Sequence, residues 1–239
     1  MASLLTPLEV TLFVHIAAGL GALAAATIVT IRWPKGGEFH KKAGRWFLWL
    51  VLVVALTAGL LLIVRPNPFF FALSVFSFYL AFSGWRVLRR KSSHADPHQR
   101  AWLIDWLAAL VTVAVGVASV FWYQDGRFGA ASGQAAVVLD TLAFAAVAAL
   151  YDLWRFAAPT AIARVSFVPA GNVWLLEHIT KLSGAYIALA CAFSGTVLSG
   201  ERLLPAAIAQ TLPAVIGTPI LLYVANRYWR TMNTRRGKV

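Results

Sequence analysis

Residues 15–45 read HIAAGLGALAAATIVTIRWPKGGEFHKKAGR, and this stretch decides the fold. From His15 to Ile31 the chain carries no charge, at Arg32 it turns polar, and from Trp46 it is apolar again. Trp33-Pro34 and Gly36-Gly37 are helix-stopping and turn-forming pairs. A helix crosses the hydrocarbon core of a bilayer with about 20 apolar residues. The stretch therefore reads as one membrane crossing, a short polar hairpin and the start of a second crossing.

The same alternation continues to the end of the chain. Of 239 residues, 60% are hydrophobic and 13% charged, and the mean hydropathy is +0.72. A soluble domain carries roughly 25% charged residues, so lipid must solvate most of this sequence. Spans are predicted at residues 8–31, 43–64, 69–88, 101–123, 134–156, 173–198 and 203–226, giving an all-α, seven-span transmembrane helix bundle in one domain, 1–239. Arg65-Pro66-Asn67-Pro68 permits only a tight hairpin. Residues 157–172, with Pro159, Pro169 and Gly171, are too broken to span and read as a loop. Pro205, Pro213 and Pro219 fall in the last span, where neighbouring helices can re-satisfy the freed carbonyls. The basic tail RYWRTMNTRRGKV is expected to fray.

Charge sets the expected orientation. The net charge is +12, and nearly every Lys and Arg falls in loops on one side, leaving Arg65, Arg127 and Arg202 on the other. The positive-inside rule then puts the N-terminus outside and the C-terminus in the cytoplasm. Charge placed this way predicts no nucleic-acid partner; it predicts membrane lipids, with anionic headgroups at the cytoplasmic rim. Most tryptophans, among them Trp46, Trp85, Trp102, Trp154 and Trp174, mark the same boundary, an aromatic belt at headgroup depth. MASLLTPLEV lacks the basic start and the cleavage site of a signal peptide. A lone cysteine, Cys191, excludes an intrachain disulfide or a CxxC site.

Small residues recur at helical spacing: His15, Gly19, Ala22, Ala26; Ser77, Ala81, Gly84; Asp105, Ala109, Thr112, Gly116, Ser119; Glu177, Lys181, Gly184, Ala188, Cys191, Gly195. Each set lies on one side of its helix, and in lipid such stripes are interhelical seams. Asp105, Glu177 and Lys181 continue them. Charge inside a span is costly and turns toward the bundle interior, where it pairs or marks a site. Glu177 and Lys181 stand four apart, in the order that favours pairing along one helix.

The polar groups fall at two depths. His40, Arg45, Asp105, Asp152, Arg155, Glu177, His178 and Lys181 sit near the cytoplasmic boundary; His15 and Asp140 sit in the outer half. His94 and His98 lie in a loop, exposed to solvent. At about 1.5 Å per residue, His15 and His178 lie roughly 15–20 Å apart along the membrane normal, too far to ligate one ion at about 2 Å. His40 and His178 are the feasible metal pair, with Asp105, Asp152 or Glu177 completing the shell. A single haem b on these two imidazoles also fits; a second does not, since His15 alone serves the outer level. There is no HExxH, CxxCH, Walker glycine loop or GxGxxG, so no catalytic reaction is legible.

Three segments carry a family resemblance: the helix 1 histidine with its KGG-x-x-H-x-x-x-G junction (Lys35, Gly36, Gly37, His40, Gly44), FSFYL-x-x-SG-x-R from Phe76 to Arg86, and EHITKLSGAYIALACAFSG with Tyr186. The chain resembles an uncharacterised bacterial family of predicted multi-pass membrane proteins, catalogued as a domain of unknown function. The resemblance implies a multi-span fold with these histidines as shared polar features, and it implies no activity.

Three functions are open at this level. The first is a redox-linked or metal-handling membrane protein with cofactor-binding His40 and His178, the acids as their partners and His15 a separate outer group. The second is a proton-coupled transporter using His15, Asp140, Asp105, Asp152, Glu177 and Lys181 as a relay, with kinks at Pro213 and Pro219 as moving parts. The third is a non-catalytic subunit of a homo-oligomer or larger membrane complex.

Overall fold

A computed structural model describes residues 6–32, 35–93, 95–127, 132–161, 172–200 and 203–234. The expectations for Trp33-Pro34, His94, Pro169, Gly171, Glu201, Arg202 and the last five residues lie outside the described residues. Seven helices account for most of the rest: α1 (Pro7–Ile31), α2 (Glu38–Val64), α3 (Pro68–Arg86), α4 (Leu103–Gln124), α5 (Ser132–Ala157), α6 (Val173–Gly200) and α7 (Ala206–Thr234). All seven are long and apolar enough to cross a membrane, and no strand occurs among the described residues. The chain is an all-α, multi-pass, seven-span bundle.

Local chemistry sets the helix ends. Thr6 caps α1 in a reciprocal box: its hydroxyl accepts the Glu9 N–H at 3.3 Å and the Glu9 carboxylate accepts the Thr6 N–H at 2.8 Å. At the other end of α1, the Lys35 ammonium donates to the Val29 and Thr30 carbonyls, both at 2.6 Å. A cation there meets the orphan carbonyls and the negative end of the helix dipole. Gly36 follows at φ +79°, a backbone setting that favours glycine. Extended Gly37 then starts α2 at Glu38, five residues before the apolar pattern begins. The Lys-Gly-Gly junction is thus a cap, a left-handed turn and a helix start. Asn67 begins α3 by accepting the Phe69 and Phe70 N–H groups at 3.0 and 3.2 Å. The last helix runs on to Thr234, so part of the tail expected to fray is helical.

α3 is the central rod. It packs against α2, α5 and α6 and more lightly against α4, while α1 pairs with α2, α4 with α5, and α6 with α7. Most of α3 is buried, from Phe69 and Leu73 through Tyr79 and Leu80 to Ser83 and Arg86, while Phe78 is exposed on its outward side. The seams pack closely. A Cβ on Gly116 would come within 2.5 Å of the Ala146 Cβ, and one on Gly84 would meet Leu182 and the Lys181 Cβ at 2.8 and 2.9 Å. All five predicted seam residues of α4 are buried. In α1, Ala22 and Ala26 are buried as the seam predicts, but Ala18 is buried in place of Gly19, which meets nothing within 4 Å. The outward faces carry Phe13, Leu56, Ile63, Phe144 and Ile220, all exposed, as a lipid-facing surface requires.

Candidate functional site

The helices deliver most of the buried charge to one end of the bundle, the end bearing the α1–α2, α3–α4 and α5–α6 connections. There the side chains form three linked ion-pair groups. The Arg86 guanidinium grips Asp105 with two parallel hydrogen bonds of 2.8 and 2.7 Å, the fork geometry that suits arginine and carboxylate. Asp105 also accepts the Trp102 N–H at 2.8 Å, capping α4. Asp152 on α5 is ion-paired with Lys181 on α6 and accepts the Tyr79 hydroxyl at 2.7 Å. Glu177 on α6 accepts Arg155 Nε at 2.7 Å and the Tyr151 hydroxyl at 2.6 Å. The predicted Glu177–Lys181 pairing along α6 does not form. Each residue reaches instead to α5, where Asp152 and Arg155 stand one helical turn apart on the facing side.

These pairs lock α3, α4, α5 and α6 together. A buried charge left without its partner is strongly destabilising, so every carboxylate in this layer has a cation and at least one neutral donor. Aromatic faces also hold cations at this end: Arg90 lies 4.4 Å from the Phe156 ring centre, Lys91 4.5 Å from that of Trp174, and Arg86 5.0 Å from that of Trp102.

Two contacts calibrate the depth of the histidines. The Thr27 hydroxyl lies 2.8 Å from the Tyr186 hydroxyl, which levels α1 with α6. His15 Nδ1 lies 2.9 Å from the Thr57 hydroxyl, which levels α1 with α2. At about 1.5 Å per residue, His15 stands about 18 Å to one side of the Thr27 level and His178 about 12 Å to the other. The two imidazoles are therefore about 30 Å apart along the helix axes, more than the sequence suggested. His40 lies about 25 Å from the level of His15, in the layer of His178.

The two histidines of that layer differ in their bonding. His178 Nδ1 is 3.0 Å from the Gly84 carbonyl. A carbonyl only accepts, so Nδ1 carries a proton, and in the neutral ring Nε2 keeps its lone pair. His40 Nδ1 is buried and has no hydrogen-bond partner among the described residues. The acids expected to complete a metal shell are engaged elsewhere, and no three His, Cys, Asp or Glu residues among those described cluster closely enough to hold a metal ion. Asp140 stands apart: it is exposed on α5, about 18 Å along the helix from Asp152. His98 is exposed, and Cys191 is a buried free thiol in the α6 seam.

Sequence reasoning missed three members of the charged layer. Tyr79 and Tyr151 read as ordinary apolar positions, and Arg86 as a rim charge. No local signal marked them, because the burial of Tyr79 and Arg86 comes from the helices packed around α3. No family model matches this chain, and no curated protein or solved structure matches it either.

Proposed function

We propose that this is a multi-pass protein of a bacterial cytoplasmic membrane, N-terminus outside and C-terminus in the cytoplasm, with a redox-linked or metal-handling role. Its working site is the His40–His178 pair at the basic, cytoplasmic end. The pair takes a transition-metal ion or the iron of a single haem b. The observation that carries the reading is the Gly84 carbonyl on His178 Nδ1. Ligating histidines characteristically donate their second ring N–H to a carbonyl or carboxylate, which fixes the tautomer and aims the other nitrogen. The unpartnered His40 nitrogen in the same layer supplies the second imidazole.

The proposed ligand set is the two imidazoles alone. Asp105, Asp152 and Glu177 already carry cations, so they orient the helices around the pair and neutralise the layer. Imidazole suits iron, copper, nickel or zinc. The group when bound supplies the electron-accepting or Lewis-acid chemistry; the protein supplies two nitrogens and a fixed tautomer.

A proton-coupled transporter is the second reading, favoured by the buried Asp152–Lys181 pair with Tyr79 beside it, since ionisable groups within spans often mark proton paths. The visible absorption spectrum of purified protein, taken with elemental analysis, separates the two. A Soret band or one equivalent of metal per chain supports the first. A colourless, metal-free preparation that moves protons in liposomes supports the second.

A further inference from the structure

We propose that the cleft beside Arg90, at the same basic end, is an oxyanion site for a phosphate group, carried by a lipid headgroup or free in solution, with the Arg90 guanidinium as its anchor. The cleft is lined by Arg90, Ser93, Arg100, Asp152, Arg155 and Glu177, among others. It is independent of the histidine pair.

Arg90 is the reason to look there. Its side chain is buried, with 7% of the residue exposed, and a guanidinium remains charged at any physiological pH. The neighbouring carboxylate is Asp105, 3.9 Å from Arg90 Nη1 and so beyond hydrogen-bond reach. Asp105 is already held by both nitrogens of the Arg86 fork and by the Trp102 N–H. Arg90 Nη1 accordingly has no hydrogen-bond partner among the described residues. A buried donor of this kind is destabilising when left unsatisfied, and more so when charged. An acceptor supplied from outside the chain removes that cost.

The charge balance around the cleft has the same sign. Asp152 and Glu177 would repel an anion if they were free, but Lys181 and Arg155 neutralise them. Arg86, Arg90, Arg155 and Lys181 together face Asp105, Asp152 and Glu177, which leaves one cation in excess. Arg100, exposed at the cleft, adds a second with no ion pair among the described residues. Phe156 holds the Arg90 guanidinium from one face. The free volume is about 20 Å³, room for roughly one water-sized oxygen. That admits an oxygen of a phosphate whose remainder stays at the open side, and excludes a whole cofactor. Trp102, on the guanidinium of Arg86, places the cleft at the depth of the aromatic belt.

The test uses the full chain in a neutral detergent, titrated in one arm with inorganic phosphate and in the other with phosphatidylglycerol, reading the thermal midpoint and, by native mass spectrometry, the lipid retained. At least one arm should give a saturable rise, and the arm that does so identifies the source. Arg90→Gln should weaken that affinity by about tenfold or more, and Arg100→Gln by a smaller factor. Lys42→Gln, which removes an exposed charge at the same end, should leave it unchanged. If Arg90→Gln does not fold, the contrast between Arg100→Gln and Lys42→Gln decides. The proposal is overturned if neither arm saturates, if the arginine variants bind as the unaltered protein does, or if Lys42→Gln weakens binding as much as they do. Metal content is not a readout, so failure of this site and failure of the histidine site are distinguishable.

Discussion

The hydroxyls of Thr27 and Tyr186, 2.8 Å apart, join the first helix to the sixth and fix how the histidines are distributed in depth. Thr27 Oγ1 also sits 2.8 Å from the Leu23 carbonyl, which takes its proton, so the tyrosine donates to the threonine. The contact separates the layer of His40 and His178 from His15. In a double-mutant cycle of Thr27→Val with Tyr186→Phe, the coupling energy should be about 0.6 kcal/mol, as is common for hydrogen bonds between membrane helices. Strict additivity would mean that the two hydroxyls do not meet.

Lys181→Met should cost about 3–5 kcal/mol, because it strands the Asp152 carboxylate where only 1% of the residue is exposed. Adding Asp152→Leu and Tyr79→Phe removes the stranded charge and its hydroxyl partner, and should recover much of the loss. Chemical denaturation in detergent measures both. A triple variant no more stable than Lys181→Met would rule out the buried pair as the cause.

Glycine substitutions should divide by contact. Gly84→Ala puts a Cβ 2.8–2.9 Å from Leu182 and Lys181, forcing α3 from α6 and disturbing the carbonyl that holds His178. The expected cost is about 1–3 kcal/mol. Gly59→Ala meets nothing within 4 Å and should be neutral or stabilise α2 by about 0.5–1 kcal/mol. Equal effects at the two positions would contradict the seam.

How much of this was legible in the sequence depended on whether the information was local. The spans were, because each is a long, mostly apolar run. The α4 seam was, because Asp105 to Ser119 repeat at threes and fours on one face. The partners of the charges were not. Glu177 and Lys181 look matched along α6, and only the placement of α5 opposite, with Asp152 and Arg155 at the same level, divides them. Arg86 and Arg90 look like rim charges for a related reason. Their burial depends on the helices that pack around most of α3, and no single helix reveals that. The start of α2 was missed because Lys35, Gly36 and Gly37 complete the turn unaided.

The α3–α4 loop should report its own charge state. Asp96 accepts the His98 N–H at 2.9 Å and the Gln99 side-chain amide at 3.0 Å. The backbone bond first, then the amide, holds its carboxyl below the usual carboxylate range. A carboxylate with a depressed folded pKa contributes to loop order above its unfolded value of about 3.9, and that contribution is lost as pH falls through the folded value. The carboxyl carbon of Asp96, followed by NMR against pH, should titrate below a free aspartate. A midpoint at or above the free value would show that these bonds do not form.

The most direct test of the account is the metal or haem content of the purified protein compared across His40→Ala, His178→Ala and His15→Ala. The account predicts one bound metal or haem per chain in the unaltered protein, lost in His40→Ala and in His178→Ala and retained in His15→Ala. A preparation with neither metal nor visible absorption, or a bound group that survives the loss of both His40 and His178, would contradict it.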